Sequence, residues 1–497
     1  MHKHLAMSLA IVLASCGKNA PAAKDDAPPA PSVAPITVPT IGVEQIRHLN
    51  FGWAEGPCEK AYKATPRDWT QVRSSCEAAL AKDPHNLDLH RLLALALAQT
   101  NEHAAAVEHL IAMLRADYFG YAAELTTNGE LKEFIATQHG QSLTALAAKL
   151  REAYQKTIAS SIWLVGRRST FKWPNASGVQ PSTSRGEVYA YDRGTKRYLR
   201  LTHTDHKVVG FVRAPSGLDI AVLGFDKIDR PKDDGPPTFA NAWVQLFDTT
   251  EWKPLGSKIS LPASREIVLG YAAGDQLLVS SAPADGRWGV GTATVSSVDK
   301  SAGRLTKVGT PIPQPRIIVT LDESRLVRDA SGVEAVWTSD PTSPTLKVAG
   351  GATIQIPESG AASESTVAVS PGNAKIAFAT AVDPCSKDTA PSLYVADVKS
   401  GALKHVLTAP SRFATRWVDA ATLAYEDGAG AIRLWDAASS RESGRLENKA
   451  GIALDVLSTT TAPLCKQAPP VVESVGAGSG DELPPEEGSA GPITAPQ

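Results

Sequence analysis

The chain has 497 residues, room for about two to four domains at roughly 100–200 residues each. Its 50 Lys and Arg nearly balance its 52 Asp and Glu, and the formal charge of −2 excludes the cationic field that a nucleic-acid partner requires. With 43% hydrophobic and 21% charged residues and a mean hydropathy of −0.13, it reads as a globular chain and not as a polytopic membrane protein.

The N-terminus carries an address. In MHKHLAMSLAIVLASCGKN a basic start at His2, Lys3 and His4 precedes an apolar run from Leu5 to Ala14 that is too short to cross a bilayer, which makes residues 1–15 a signal peptide. Leu13-Ala14-Ser15-Cys16 resembles the lipobox of bacterial lipoproteins, where small residues fit the signal peptidase and the cysteine thiol takes the lipid. The resemblance implies that Cys16 becomes the acylated N-terminus, held on a membrane by several acyl chains where one would dissociate. Gly17 is no inner-membrane retention signal, so the expected location is the outer membrane. Residues 16–40, rich in Pro and Ala with almost no large apolar side chain, then form an extended tether.

Four further cysteines remain, Cys58, Cys76, Cys385 and Cys465, an even set in a compartment that permits disulfides. Of the three pairings, Cys58–Cys76 with Cys385–Cys465 keeps each bridge inside one expected domain. No CxxC occurs, so neither a zinc knuckle nor a thioredoxin-type dithiol is supported.

From 41 to 158 apolar residues recur at three- and four-residue spacing with few internal Gly or Pro, which predicts an all-helical domain. Within it, WTQVRSSCEAALAKDP followed by HNLDLHRLLALALAQTNEHAAAVEHLIAML resembles the tetratricopeptide repeat. Taking Pro84 as a closing proline, Leu93, Ala94, Ala106 and Leu110 fall where that family packs helix on helix, and Ala79 and Leu80 fit a preceding half-degenerate copy. Leu97 and His103 stand where the family has tyrosines, so a helical hairpin repeat is the firmer description. YFGYAAELTTNGELKEFIATQ and the helix SLTALAAKLREAYQKTIAS would cap the stack.

Near residue 160 the period changes to alternation, and the region 159–465 reads as repeated antiparallel units. Six polar hairpins recur: EVYAYDRGTKRYLRLT, AWVQLFDTTEWKPLGSKISL, GTATVSSVDKSAGRLTKVG, EAVWTSDPTSPTLKVAG, SLYVADVKSGALKHVLT and AIRLWDAASSRESGRL. Five inner strand pairs separate them, and SIWLVGRR stands alone at the start. The missing inner strand is supplied by 451–459, GIALDVLST, so the chain's own end would complete the first unit and remove exposed sheet edges. About 50 residues per unit is within the range of propeller repeats. Ser370-Pro371-Gly372, Tyr394-Val395-Ala396-Asp397 and Leu434-Trp435-Asp436 resemble the TolB-type and WD-like propeller repeats of bacterial envelope proteins. The fold class is therefore multidomain, α then β: TPR-like helical hairpins followed by a β-propeller of six blades, alternatively seven, closed by a C-terminal strand. Residues 466–497, with five acidic residues against Lys466, read as a disordered acidic Pro/Gly-rich tail.

Chemical motifs are scarce. GxSxG, HExxH and GxxxxGKS are all missing from the sequence, and no catalytic residue or cofactor is expected. His103 and His109 stand six apart on one helix, not four, and read as a solvated surface. His203, Asp205 and His206 in THTDHK are weak metal candidates, set against an ordinary polar loop. The carboxylates of DKIDRPKDDGPP are interleaved with Lys227, Arg230 and Lys232, as in a salt-bridged surface loop. The long loops 169–186, 226–241 and 383–391 all join second to third strands and so share one propeller face. Phe171, Trp173, Arg230 and Phe239 would line a continuous lip there, the candidate binding face.

These readings point to a membrane-tethered envelope lipoprotein acting as a non-catalytic protein-protein interaction scaffold. The propeller of TolB docks a peptidoglycan-associated lipoprotein, and the likeness implies an envelope protein or peptide as partner. The alternative is a propeller-based enzyme or a small-molecule or metal binder in the periplasm.

Overall fold

The computed structural model describes residues 37–46, 56–167, 185–229, 238–283, 294–310, 312, 316–320, 335–338, 345–348, 351–357, 368–370, 372, 374–380, 392–408, 415–426 and 432–446. Helices run from Pro57 to Ser160 and strands from Ile162 to Leu446, so the switch of hydrophobic period falls where the chain changes architecture. Cys16, Cys385 and Cys465, the tail and the proposed closing strand 451–459 lie outside the described residues.

The helical part opens with α1 (Pro57–Lys63), α2 (Trp69–Leu80), α3 (Leu87–Gln99) and α4 (His103–Ala116), each packing on the one before. Caps set the boundaries. The Asp68 side chain accepts from the N–H groups of Thr70 and Gln71 at the start of α2, and Asn86 accepts from Leu89 N–H at the start of α3. Leu93, Ala94, Ala106 and Leu110 are all buried, and Ala94 and Ala106 retain no exposed surface, which lets α3 and α4 approach closely. Ala79 and Leu80 are half-buried. Cys58 in α1 and Cys76 in α2 are joined as a disulfide inside this core.

Short helices α5 (Tyr118–Tyr121), α6 (Glu124–Thr127) and α7 (Lys132–Ala136), with a 3-10 turn at Gly129–Leu131, lead into the long α8 (Gln138–Ser160). Leu143, Leu146, Leu150, Tyr154 and Ile158 form its buried stripe.

One boundary differs from expectation. Residues 41–46 do not join the helices: Val43 forms a β-bridge with Tyr198, on the outer strand of the first sheet unit. Gly42 has φ of 77°, and a Cβ there would stand 2.7 Å from the Tyr198 carbonyl oxygen, so only glycine allows this crossing.

The strands form antiparallel meanders. The first contains β1 (Ile162–Arg167), β2 (Gly186–Asp192) and β3 (Arg197–Arg200). The second contains β4 (Val208–Arg213) and β5 (Asp219–Gly224), with β6 (Lys227–Asp229) and β7 (Thr238–Ala240) as a side hairpin, then β8 (Trp243–Asp248) and β9 (Pro254–Ser260). The third runs through β10 (Ser264–Ala272), β11 (Gln276–Pro283), β12 (Thr294–Asp299) and β13 (Arg304–Lys307). After β14 (Arg316–Thr320) come β15 (Ala335–Thr338), β16 (Thr345–Val348) and β17 (Thr353–Gln355) in a three-stranded sheet. Two four-stranded sheets follow: β18 (Ala368–Val369), β19 (Lys375–Thr380), β20 (Ser392–Asp397) and β21 (Leu403–Thr408), then β22 (Thr415–Trp417), β23 (Thr422–Glu426), β24 (Ile432–Asp436) and β25 (Arg441–Leu446).

All six polar hairpins of the sequence pair as hairpins. Their recurring aspartate has a common cause. Asp192, Asp248, Asp299, Asp397 and Asp436 each turn a carboxylate onto the backbone N–H groups two and three residues ahead, at 2.6–3.3 Å. β14 also pairs antiparallel with β10, while its expected partner in the sequence, 324–329, lies outside the described residues. The loop 226–241 contains the β6–β7 hairpin, anchored to β10 by the Phe239–Ser264 pairing.

Facing cores link successive meanders. Val209, Leu223 and Val244 of the second meet Ile267, Leu269 and Val279 of the third. Leu346 and Ile354 meet Ile376, Phe378 and Tyr394; Leu393 and Val395 in turn meet Trp417, Leu423 and Tyr425. Ile162, Leu164 and Tyr189 of the first meander share a core with Ala424, Ile432 and Leu434 of the last, so the two ends of the strand region meet by side-chain packing.

Candidate functional site at the helix–sheet junction

A buried polar cluster lies where the helices meet the first meander, and THTDHK is part of it. Asp117 ends α4 and caps α5, accepting from Gly120 N–H at 3.1 Å, and is 1% exposed. His203 Nε2 lies 2.9 Å from both Asp117 carboxylate oxygens. Gly120 is required beside them, since a Cβ there would stand 2.7 Å from His203 Nε2 and 2.9 Å from Asp117 Oδ2.

Arg200, on β3, bridges two acids: its guanidinium is 3.7 Å from Asp117 Oδ2 and 3.2 Å from Glu187 Oε1. Glu187, on β2, has no exposed surface. Its carboxylate accepts from the Thr202 hydroxyl at 2.6 Å, the Thr204 hydroxyl at 2.9 Å, Thr204 N–H at 2.7 Å and His206 N–H at 2.9 Å. The loop reaches this geometry with Asp205 and His206 at φ of 62° and 56°. The candidate metal trio is therefore divided: His203 turns to Asp117, His206 gives its backbone N–H to Glu187, and the Asp205 side chain is 88% exposed, 3.9 Å from Lys207. No group of three or more His, Cys, Asp or Glu side chains among the described residues is arranged to hold a metal.

Burial alone would push the Asp117 carboxyl pKa up. The charge and hydrogen bond of His203, the Arg200 guanidinium and Gly120 N–H outweigh it, and the net shift is downward. Both carboxylates in the cluster are engaged by neighbours, that of Asp117 across the helix–sheet boundary.

Two further seams strengthen the junction. Tyr154 of α8 donates to the Arg115 carbonyl at 2.9 Å, and Gly42 N–H reaches the same oxygen, tying the end of α4 to the segment that bridges β3. Along α8, Arg151 pairs with Glu251 and Gln155 donates to Thr250 O at 3.1 Å. Beside them Trp252 packs on Trp163 and Phe119 with ring centroids at 5.1 and 6.5 Å.

The expected lip is corrected at one residue. Phe239 has no exposed surface and packs on Phe225 at 5.0 Å inside the core between the second and third meanders, because β7 turns it inward. Phe171, Trp173 and Arg230 lie outside the described residues. His103 and His109 do not form a plain solvated face either: His103 packs edge-on against Phe134, and His109 meets His90. Asp117, Glu187 and Arg200 escaped the sequence reading. The D-Y-F-G cap spacing at 117–120 and a charge at inward alternation in GEVYAYD were the available signals.

No family model matches the chain, and no curated protein matches it. Solved structures similar to it include two β-propeller proteins, the tricorn protease and TolB from Acinetobacter baumannii. The first shows 12% identity and a TM-score of 0.34, over 58% of this chain and 26% of that one. TolB shows 10% identity and a TM-score of 0.30, over 61% and 68%. A putative 6-phosphogluconolactonase from Bacteroides uniformis matches at 12% identity with a TM-score of 0.26, over 61% of this chain and 97% of its own. No helix among the described residues is long and apolar enough to cross a membrane.

Proposed function

We propose that the chain is a cell-envelope lipoprotein, lipid-anchored through Cys16 at the outer membrane, that acts as a non-catalytic scaffold for protein or peptide partners. The helical hairpins are TPR-like, and the meanders are the blades of a six-bladed propeller whose first blade is completed by 451–459. The observation that carries this reading is the clasp: Asp117, His203, Arg200 and Glu187 join the helices to the first meander through a buried charged cluster. Joined so, two kinds of surface suited to docking move as one body. The lipobox supplies the tether, and the long loops supply contact residues on a fixed frame.

The test uses the full chain. Metabolic labelling with a radioactive fatty acid should mark the wild type and not Cys16→Ser, and the variant should leave the membrane fraction. In situ cross-linking should then capture an envelope protein whose yield falls when residues 230–237 are deleted and an Asn-Gly turn is put in their place, which keeps the β6–β7 hairpin closed and Phe239 in the core. An unlabelled wild type would overturn the anchor, and capture unchanged by the deletion would overturn the loop face as the docking surface.

A further inference from the structure

His90, on α3, and His109, on α4, meet with their Nδ1 atoms 2.9 Å apart and ring centroids at 5.1 Å. The hydrogen-bond pattern fixes the state of this pair. His90 Nε2 lies 3.1 Å from the Pro84 carbonyl, which can only accept, so Nε2 carries the His90 hydrogen and its Nδ1 presents a lone pair. His109 must then be the donor across the gap, and a single proton sits between the two Nδ1 atoms. A backbone carbonyl that holds one imidazole nitrogen while the other faces a partner is the arrangement that orients histidine ligands of metal ions.

We propose that His90 and His109 form a two-histidine clamp for a divalent transition metal ion of the zinc or copper class, the remaining positions being filled by water. Metal–nitrogen bonds of ~2.0–2.1 Å at a tetrahedral angle place the two nitrogens ~3.4 Å apart, so the rings need to part by roughly half an ångström and to tilt until both Nδ1 lone pairs converge on the ion. The metal replaces the bridging proton, which moves from His109 Nδ1 to His109 Nε2. Both imidazoles stay neutral and no charge is left over beyond that of the ion. Burial lowers the pKa of His90 and of His109, which keeps both in the neutral ligand form near pH 7. Asp83 lies within electrostatic reach of His90, and Glu108 and Glu77 within reach of His109; all three favour a cation, against His85 and Arg115 on the His90 side. Imidazole ligands select transition ions over calcium and magnesium.

Zinc chloride titrated into the metal-stripped full chain, followed by calorimetry, tests the clamp. The expected result is one zinc per chain, an affinity lowered at least ~10-fold in both His90→Gln and His109→Gln, and no change in His405→Gln. Long-range nitrogen–proton spectra of the wild type, which need no variant, should show His109 changing from its Nδ1–H to its Nε2–H tautomer as zinc is added. Failure of the wild type to bind, binding unaffected by either substitution, or an unchanged His109 tautomer in the zinc-loaded protein would overturn the proposal.

Discussion

The imidazole of His203 is bonded through Nε2 to both oxygens of Asp117, a contact between residues 86 positions apart that joins the helical part to the first meander. Because Asp117 is buried and Arg200 is mostly so, removing the carboxylate leaves the Arg200 guanidinium facing a void. Asp117→Ala should cost about 3–5 kcal/mol in urea unfolding. His203→Ala should cost less, since that side chain is 32% exposed and water can take its place. A loss below about 1 kcal/mol for Asp117→Ala would put this cluster in the class of surface pairs.

The same carboxylate predicts a pH dependence. Its folded-state pKa lies below the ordinary value of 3.8, so its contribution to stability is present above that value and is lost as pH falls through the folded pKa. The urea midpoint of the wild type should fall steeply below about pH 4, and Asp117→Asn should flatten that fall. Equal slopes for the two proteins would assign the acid sensitivity elsewhere.

How much of this was legible in the sequence depended on the distance over which each signal acts. The hairpin aspartates act on backbone N–H groups two and three residues away, so Asp192, Asp248, Asp299, Asp397 and Asp436 mark their turns plainly. The helical core was equally local, with Leu93, Ala94, Ala106 and Leu110 set by spacing. THTDHK stands out as a polar motif, but its role rests on Glu187, fifteen or more residues back, and on Asp117, in the helical part of the molecule. Phe239 leaves the expected lip because β6 and β7 pair within the long loop, a contact set by residues on both sides of it, and turn the aromatic ring inward.

A second buried acid links the second and third meanders. Asp219, 9% exposed, accepts from the Tyr271 hydroxyl at 2.5 Å and from Lys300 Nζ at 2.7 Å. Tyr271→Phe keeps the ring and its packing while removing one charge-assisted hydrogen bond, and should cost about 1.5–3 kcal/mol by urea unfolding. A neutral effect would mean that Lys300 alone suffices for Asp219.

Phe239→Ala separates a packing role from a surface role. As a core residue against Phe225, it should lose about 3–5 kcal/mol on truncation. Leu218→Ala, at a side chain 69% exposed, should change stability by less than about 0.5 kcal/mol. Thermal unfolding of the two variants side by side checks the contrast, and similar melting points would contradict the burial of Phe239.

The Cys58–Cys76 bridge spans 18 positions and joins α1 to α2 through two side chains without exposed surface. Closing a loop of that size restricts the unfolded chain by about 3 kcal/mol, so the double variant Cys58→Ala, Cys76→Ala should lose a comparable amount. The loss should be local in its effects. α1 makes its main contacts with α2, and in hydrogen exchange the amides of 57–80 should open before those of α3 and α4, whose buried residues do not depend on the bridge. Uniform loss of protection across all the helices would instead show that the bridge holds the whole helical array together.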